Sequence, residues 1–311
     1  MTGLEKFPVT EELEVKIKSP LTNGHTTKIA EVAVNYIVQG YKKNFDIDVS
    51  DIFLGKNSVN IYRCDDSGYK FYYPYDIVGD SQFYKELEKF DWYYMPWKWE
   101  HEKSLNYIST AESILEVGCG SGFFLKTIRE RYPTKKLTGL EINTDDTRDE
   151  YILNQTIQQH SSEGHGNYDL VCFYQVLEHI SDVNSFLTAS IKVLKKSGYL
   201  IISVPNNDTI FFKNKTDIFL NFPPHHMGLW SEGPLNYLTR QFDLKLVNKY
   251  YEPIPDYHFD WFKNIIKEKI RASKLPLSYR LSNNNFLMKR LYKILRKMYK
   301  GHSIMFVYKK L

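Results

Sequence analysis

The chain has 311 residues and a net charge of +4, and 42% of its residues are hydrophobic, so it is long enough for one catalytic domain with additional elements. No run approaches the ~18 apolar residues of a membrane-spanning helix, and residues 1–6 (MTGLEK) lack the apolar core of a signal peptide. The three cysteines have no paired spacing, which argues against a disulfide framework. We therefore expect a globular, cytoplasmic protein.

The N-terminal part of the chain carries structural rather than chemical signals. Apolar residues at positions 29, 32, 33, 36 and 37 recur at helical spacing, which predicts a helix over Ile29–Gln39. Residues 62–74 and 83–102 are unusually rich in Tyr, Trp and Phe. We expect residues 1–82 to form an accessory subdomain, and residues 83–110 to connect it to the next domain.

The stretch 114–122 (ILEVGCGSG) predicts a buried strand, a glycine turn and a helix over Phe123–Arg131. Glycine suits a turn that needs left-handed dihedral angles and a ligand that lies against bare backbone. In the dinucleotide fingerprint the third glycine would fall at position 123, where this chain has Phe123. The loop therefore predicts a nucleoside-like ligand without a pyrophosphate.

Two acids flank this loop. Glu116 lies inside the apolar strand, where an unpaired carboxylate is costly to bury, so we expect it to face a ligand. Glu141 ends the next apolar run, 25 positions further on, where nucleoside-binding βαβ units place an acid on the ribose hydroxyls. Both positions favour an adenosine-type ligand.

The remaining pattern alternates between strands and helices. It predicts strands at 151–154, 168–173, 199–204, 243–251 and 302–309, and helices at 183–196, 259–272 and 286–299. Only residues 143–150 separate Glu141 from the strand at 151–154, which is short for a parallel crossover. The long insertion 205–230 contains Pro223-Pro224-His225-His226 and follows a strand, at an edge where loops commonly carry substrate specificity.

The charge is concentrated near the C-terminus. Residues 261–300 contain twelve Lys and Arg residues and one acid, Glu268, whereas the rest of the chain has an excess of acid. The two basic helices are either a solvated decoration or an electropositive surface for a phosphate-bearing substrate, a nucleic acid or an anionic membrane.

Five motifs in this order resemble the class I S-adenosylmethionine-dependent methyltransferases. The resemblance spans roughly residues 95–250, and the motifs are 115–122 (LEVGCGSG), 139–143 (GLEIN), 168–171 (YDLV), 175–180 (QVLEHI) and 193–206 (VLKKSGYLIISVPN). It implies an α/β, Rossmann-like sheet that is mostly parallel with the last strand antiparallel, and helices on both faces. It also implies a core at 111–252, a basic helical insertion at 253–300 and the last core strand at 301–311.

The resemblance further implies S-adenosyl-L-methionine as cofactor and S-adenosyl-L-homocysteine as product. Family members close an N-terminal segment over the cofactor, so residues 83–110 are a candidate lid, with Tyr93, Tyr94 and Trp99 as walls. Gln175 is expected at the methionine end and Gln155 or Thr156 at the adenine, with an ordinary exposed-loop role for Gln155 as an equal alternative. The expected cofactor-binding residues are Glu116, Gly118, Cys119, Gly120, Gly122, Glu141, Ile142, Gln155, Thr156, Gln175, Tyr94 and Trp99.

Many members also carry a pair of N-terminal Cys-x-x-Cys knuckles. Aligning residues 19–22 (SPLT) and 64–67 (CDDS) with these knuckles leaves one sulfur, Cys64, of the four. Tetrahedral zinc needs four good ligands, so we expect no metal there or elsewhere.

Our leading hypothesis is O-methylation of a sugar, such as a nucleotide-activated or lipid-linked glycan of a surface polysaccharide, because segments 94–100 and 223–226 resemble enzymes of that context. His225 or His226 would then be the general base that takes the proton of the acceptor hydroxyl. We expect the pair Glu178-His179 to have a structural or cofactor-positioning role.

Two alternatives remain open at this stage. One is an RNA or protein methyltransferase that docks through the basic helices. Against it, the chain shows no recognisable RNA-binding module, and the Asn-Pro-Pro-aromatic signature of amino-methylating enzymes is absent after Val171-Cys172-Phe173. The other alternative is a non-catalytic cofactor-binding subunit, which the intact glycine loop, the two acids and the histidines argue against. The oligomeric state is left open.

Overall fold

The structure is a computed structural model of the chain. It describes residues 16–93, 95–142, 149–164, 166–209, 212, 218–254, 259–272, 284–296 and 300–311. Within these ranges the eleven strands are β1 Thr26–Ala33, β2 Ser58–Cys64, β3 Lys70–Tyr73, β4 Ser113–Val117, β5 Lys136–Leu140, β6 Ile152–Leu153, β7 Tyr168–Tyr174, β8 Leu194–Pro205, β9 Gly228–Leu229, β10 Leu244–Tyr251 and β11 Ser303–Lys310.

Helices connect most of these strands. The α-helices of the described ranges are α1 Val34–Phe45, α2 Ser81–Glu88, α3 Trp99–Ile108, α4 Phe123–Arg131, α5 Ile157–Ser162, α6 Val183–Lys192, α7 Glu232–Gln241, α8 Phe259–Ala272 and α9 Asn285–Leu295, with short 3₁₀ helices at Ser50–Phe53, Leu177–His179 and Phe219–Asn221. None of the helices in the described ranges has the length and apolar character needed to span a bilayer.

The larger sheet has seven strands in the order β10-β11-β8-β7-β4-β5-β6. Neighbours from β8 to β6 run parallel, whereas β11 lies antiparallel between β8 and β10. The predicted Rossmann-like sheet with its antiparallel last strand is therefore confirmed. The order reverses between β4 and β7, and ligands of open α/β sheets bind outside the carboxyl ends of strands at such a switch point.

Helices cover both faces of this sheet, as predicted, because side chains that alternate along each strand enter two different cores. On one face, Val171 and Phe173 of β7 pack with residues of α6 and α7. On the other face, Leu170 and Cys172 pack with residues of α3 and α4. Glu116 lies two residues after Ile114 in β4, so both side chains are on the same face of the sheet. The Glu116 carboxylate is therefore on the face that α3 covers.

The predicted helix at Ile29–Gln39 is partly wrong. Residues up to Ala33 belong to β1, which pairs antiparallel with β2, and the helix begins at Val34. Apolar residues at 29, 32 and 33 fit a helical stripe, but the ladder with β2 supplies inter-strand hydrogen bonds that no local pattern reveals. The other predicted helices and strands are confirmed within a few residues, apart from their parts outside the described ranges.

The smaller sheet, β1-β2-β3-β9, is not made by the N-terminal segment alone. Its fourth strand, β9, comes from the insertion that follows β8 and pairs with β3. From the same insertion, Phe222 and Met227 pack in one apolar cluster with Ile37 and Tyr41 of α1. The N-terminal segment thereby supports the loop that contains the two predicted catalytic histidines.

Residues 19–22 and 64–67, the two segments that align with the Cys-x-x-Cys knuckles, lie next to each other in the structure. The Thr22 hydroxyl lies 3.2 Å from the Cys64 sulfur. Burial raises the pKa of the Cys64 thiol, but hydrogen bonds from Ser19, Ser67 and Thr22 outweigh burial and lower the pKa overall. The four aligned side chains thus converge, and hydrogen bonds link them around the one remaining sulfur.

Candidate active site

The glycine loop connects β4 to α4 as predicted. Gly118, Gly120 and Gly122 all have positive φ, at 70°, 54° and 76°. A Cβ on Gly118 would lie 2.6 Å from Cγ2 of Val176, so both its backbone angle and its neighbour require glycine. The Gly120 N–H donates to Oε2 of Glu141 at 2.9 Å, which joins the loop to the acid that follows β5.

Three acids lie buried beside the loop. Glu100, Glu116 and Glu178 are each 5% exposed or less, and burial raises the pKa of each carboxyl, that of Glu178 to about 8. The nearby Lys98 ammonium acts in the opposite direction on all three. Buried polar atoms usually have hydrogen-bond partners. Among the described residues, however, Oε2 of Glu116, Oε2 of Glu178 and the indole N–H of Trp99 have none.

Gln175 follows β7 in a strained conformation. Its φ is 57°, a left-handed value that non-glycine residues rarely adopt and that clusters at functional sites. Its amide nitrogen donates to Oε1 of Glu100 at 3.3 Å and to the Ser203 hydroxyl at 3.2 Å. These bonds hold the side chain at the carboxyl end of β7, where the sequence places the methionine end of the cofactor.

The remaining predicted cofactor residues lie in or near the loop, at positions 155 and 156, and at position 94. Cys119 and the glycines form the loop. Ile142, which follows Glu141, is a large apolar side chain that is 59% exposed. Gln155 and Thr156 are engaged locally, because the Gln155 amide bonds Glu163 and His160 and the Thr156 hydroxyl caps α5. Their predicted contact with adenine stays a prediction. Tyr94 lies outside the described residues.

Three imidazole rings pack together at the next corner of the site. The rings of His225 and His226 are parallel, with centroids 4.5 Å apart. His179 meets both rings edge-on, at 4.6 and 5.0 Å. His179 follows Val176 in the same short segment, and Val176 packs on Gly118, so the cluster adjoins the glycine loop.

Hydrogen bonds fix the tautomers of all three rings. Backbone carbonyls can only accept, so Nδ1 of His225 donates to the Leu220 oxygen at 2.9 Å and Nδ1 of His179 donates to the His225 oxygen at 2.5 Å. With its proton on Nδ1, His225 accepts a hydrogen bond at Nε2 from the Tyr93 hydroxyl, 3.0 Å away. Nε2 of His179 lies 4.0 Å from Oε1 of the buried Glu178.

A relay of amides fixes the third ring. Asn207 donates to the Trp230 carbonyl at 3.1 Å, so its amide oxygen accepts from Asn221 at 2.7 Å. The Asn221 oxygen then accepts from Nδ1 of His226 at 3.1 Å, which leaves Nε2 of His226 with the lone pair. Burial lowers the pKa of all three histidines, that of His179 to about 4, so the rings are neutral at pH 7.

The sequence underestimated three of these residues. His179 was expected to have a structural or cofactor-positioning role, yet its ring packs against both predicted catalytic histidines. Lys98 and Glu100 received no role, although they lie in the aromatic segment singled out as a lid. A Lys-x-Glu pair within an otherwise aromatic stretch is the sequence feature that points to these two residues, because charges are costly to bury among aromatic rings.

Comparisons with known proteins identify the class. The profile of a methyltransferase domain family matches residues 92–249, just over half of the chain. The chain is 23% identical over 146 residues to a ubiquinone biosynthesis O-methyltransferase of Erwinia tasmaniensis, covering 43% of this chain and 56% of that protein. It is 27% identical over 110 residues to the enzyme of the same name from Vibrio campbellii, covering 31% of this chain and 45% of that protein. The chain thus spans about half the length of these curated relatives.

Solved structures similar to the chain include a SAM dependent methyltransferase from Archaeoglobus fulgidus, at 16% identity and a TM-score of 0.45, covering 68% of this chain and 91% of that one. Another is coclaurine N-methyltransferase bound to N-methylheliamine and SAH, at 15% identity and a TM-score of 0.44, covering 68% and 72%. On the profile match, the chain belongs to the methyltransferase domain family. The methyltransferase family predicted from the five motifs is confirmed.

Proposed function

We propose that the chain transfers the methyl group of S-adenosylmethionine to a hydroxyl oxygen of a small acceptor, and that the acceptor is a sugar. One observation carries the proposal: a group of buried acids at the switch point of the sheet, Glu100, Glu116 and Glu178, adjoins three neutral imidazoles. The acids fit a cofactor that carries a sulfonium and an ammonium group. The imidazoles fit an acceptor that must lose a proton.

The acids support the cofactor half of the proposal. Oε2 of Glu116 and of Glu178 are buried oxygens without a hydrogen-bond partner in the described chain, and a cationic ligand with N–H donors would satisfy them. Exposed Ile142 and Phe123 beside the loop offer apolar surface to an adenine ring. Glu141 lies where a ribose would need an acceptor for its hydroxyls.

The histidines support the acceptor half. Methyl transfer is an in-line displacement: the acceptor oxygen forms a bond to the methyl carbon while the carbon–sulfur bond breaks and its electron pair remains on sulfur. The protein therefore aligns the two groups and removes the hydroxyl proton. Nε2 of His225 or His226 takes that proton, and the partly exposed aromatic rings of Tyr84 and Tyr93 beside His225 suit the apolar face of a sugar.

A phenolic acceptor is the second candidate, because the curated relatives are named as ubiquinone biosynthesis O-methyltransferases. A panel of nucleotide-activated sugars, simple phenols and RNA, incubated with S-adenosylmethionine and analysed by mass spectrometry, tests both candidates. We expect a mass gain of one CH2 group on a sugar. A gain on phenols alone would overturn the sugar assignment, and transfer to RNA alone would overturn the small-molecule acceptor.

Replacing the buried carboxyl of Glu116 by an amide should raise the stability of the protein and weaken its binding of the cofactor product. Burial raises its pKa well above the ordinary value, so the unfolded chain releases this proton at a lower pH than the folded chain. Stability is therefore lost as pH rises from the ordinary glutamate range towards the raised pKa. Glu116→Gln removes this loss, and we expect a higher melting temperature than wild type at pH 7.5 and a difference that disappears below pH ~4.

The same variant should bind S-adenosylhomocysteine ~10-fold or more weakly, because a charge-assisted hydrogen bond is lost. Thermal melts across pH and calorimetry check the two effects. Glu112→Gln, at an exposed acid just before β4, is the matched control, with both properties unchanged. A variant that is less stable at pH 7.5 yet binds normally would contradict the assignment.

Helix α9, in the basic segment, exposes apolar and basic side chains together. It exposes Phe286 and Ile294, each more than 60% accessible, together with the basic Lys289, Arg290 and Lys293. Exposed apolar side chains beside cations favour an anionic membrane surface over a merely solvated helix. We propose that the enzyme meets a lipid-linked acceptor at such a surface.

We expect the protein to sediment with vesicles that contain phosphatidylglycerol but not with pure phosphatidylcholine vesicles. The double variant Phe286→Glu, Ile294→Glu should abolish this sedimentation. Exposed Leu54→Glu, a similar change far from α9 in sequence, is the control that should leave it intact. Equal sedimentation of wild type and the double variant would contradict the proposal.

A further inference from the structure

The cluster of His179, His225 and His226 is the one group of potential metal ligands in the described part of the chain. One nitrogen from each of His179, His225 and His226 lies within 4.8 Å of the others. The rings come from two segments far apart in sequence, the 3₁₀ helix after β7 and the insertion after β8. Packing alone does not require three neutral polar rings at a single buried point, where apolar side chains would be less costly.

The hydrogen bonds around the rings match those of metal-binding histidines. A metal-ligating histidine usually donates its second ring N–H to a carbonyl or a carboxylate, which fixes the tautomer and the ring orientation. Here the three Nδ1–H groups already donate to the Leu220 carbonyl, the His225 carbonyl and the Asn221 side-chain oxygen. The outer hydrogen bonds of such a site are therefore in place, and the Nε2 atoms would be the ligands of the ion, with the Tyr93 hydroxyl giving way at His225.

We propose that His179, His225 and His226 bind one divalent transition-metal ion, with zinc as the first candidate. Three imidazole nitrogens with a fourth position open to substrate form a ligand set typical of catalytic zinc, whereas magnesium and calcium prefer oxygen. At zinc–nitrogen distances of ~2.0–2.1 Å, tetrahedral ligand atoms lie ~3.4 Å apart. The rings would therefore have to rotate so that their ligand nitrogens, which now lie within 4.8 Å of one another, come closer together.

The fourth position would face the acceptor. The Tyr93 hydroxyl already lies 3.0 Å from Nε2 of His225, so an oxygen fits beside this nitrogen. The chemical role of the ion rests on the proposed function: it would polarise the acceptor hydroxyl and make its proton easier to lose. With an ion bound, the three lone pairs are occupied, so the histidines would hold the metal rather than take the proton themselves.

Metal binding can be tested without methyl transfer. Protein without an affinity tag is stripped with EDTA and titrated with Co²⁺, whose visible absorption reports ligation and geometry, and Zn²⁺ is then added as competitor. We expect one equivalent of Co²⁺ to bind and Zn²⁺ to displace it. Absence of stoichiometric binding by the wild-type protein would overturn the proposal, and this result needs no variant.

Variants then locate the ion. His179→Ala, His225→Ala and His226→Ala should each weaken Co²⁺ binding by roughly 100-fold or more, and Asn221→Ala, which keeps all three rings, by roughly 10- to 100-fold. His160→Ala is the matched control, because His160 is buried but bonds Gln155 and Tyr168 elsewhere. Wild-type affinity in all three cluster variants would overturn the assignment. Circular dichroism of each variant verifies folding.

The outcomes separate this inference from the proposed function. Metal binding without S-adenosylhomocysteine binding would support the metal site and overturn the methyl-transfer proposal. S-adenosylhomocysteine binding with no metal, together with activity that EDTA leaves unchanged, would overturn the metal site and keep the histidines as free bases.

Discussion

Gly118→Val should abolish measurable binding of S-adenosylhomocysteine, with the dissociation constant raised at least ~100-fold. Two physical effects combine at this position. A β-branched residue is strained at a φ of 70°, and the new Cβ would lie 2.6 Å from Cγ2 of Val176. Either the loop moves or Val176 does, and both line the expected cofactor site. Calorimetric titration of the variant measures the effect.

A matched control separates backbone strain from the site. Gly55 has nearly the same φ, 74°, but a Cβ there would meet no atom within 4 Å. Gly55→Val should therefore cost a similar ~1–3 kcal/mol of strain while leaving the dissociation constant unchanged. Normal affinity in Gly118→Val, or an equal loss of affinity in both variants, would count against the site.

His225→Ala and His226→Ala should lower turnover by ~100- to 10,000-fold while leaving S-adenosylhomocysteine affinity near that of wild type. The reason is the fixed orientation of the rings, since each Nε2 lone pair lies where a hydroxyl proton could be taken. The expectation also holds if the rings ligate an ion, because either role requires the same nitrogens. Single-turnover rates with saturating cofactor measure the effect on the chemical step.

His160→Ala again serves as the buried control and should turn over normally. The double variant His225→Ala, His226→Ala tests for compensation between the adjacent rings, whose stacking could allow one to replace the other. Wild-type rates in both single variants and in the double variant would remove these residues from the mechanism.

The glycine loop and the sheet could be predicted from the sequence because their signals are local. A strand, three glycines and a helix occupy 18 consecutive residues, Ile114–Arg131, and backbone sterics link the pattern directly to the turn. The cost of burying a carboxylate predicted that Glu116 would lie at a ligand site, and the structure places it beside the loop, buried and with one oxygen unpartnered.

The histidine cluster required the structure, because its members come from different segments. His225 and His226 were noticed as a pair between prolines and Trp230, but nothing local indicated that His179 packs against them. The amide relay from Trp230 through Asn207 and Asn221 also joins residues up to 23 positions apart. Sequence spacing shows none of these contacts, and they decide which nitrogen of His226 carries the lone pair.

Pattern and geometry also diverged where two structures fit the same residues. The apolar spacing at 29–33 fits a helix, yet pairing with β2 makes it a strand. The ladder with β2 supplies the hydrogen bonds of this segment, and single-sequence reasoning does not reveal it.

The most direct test of the account is calorimetric titration of the purified protein with S-adenosylhomocysteine, with NAD as the control ligand. Because the site combines buried acids with a glycine loop that lacks the dinucleotide spacing, we expect micromolar binding of S-adenosylhomocysteine and none of NAD. No binding of S-adenosylhomocysteine, or a preference for NAD, would contradict the cofactor site and every step built on it.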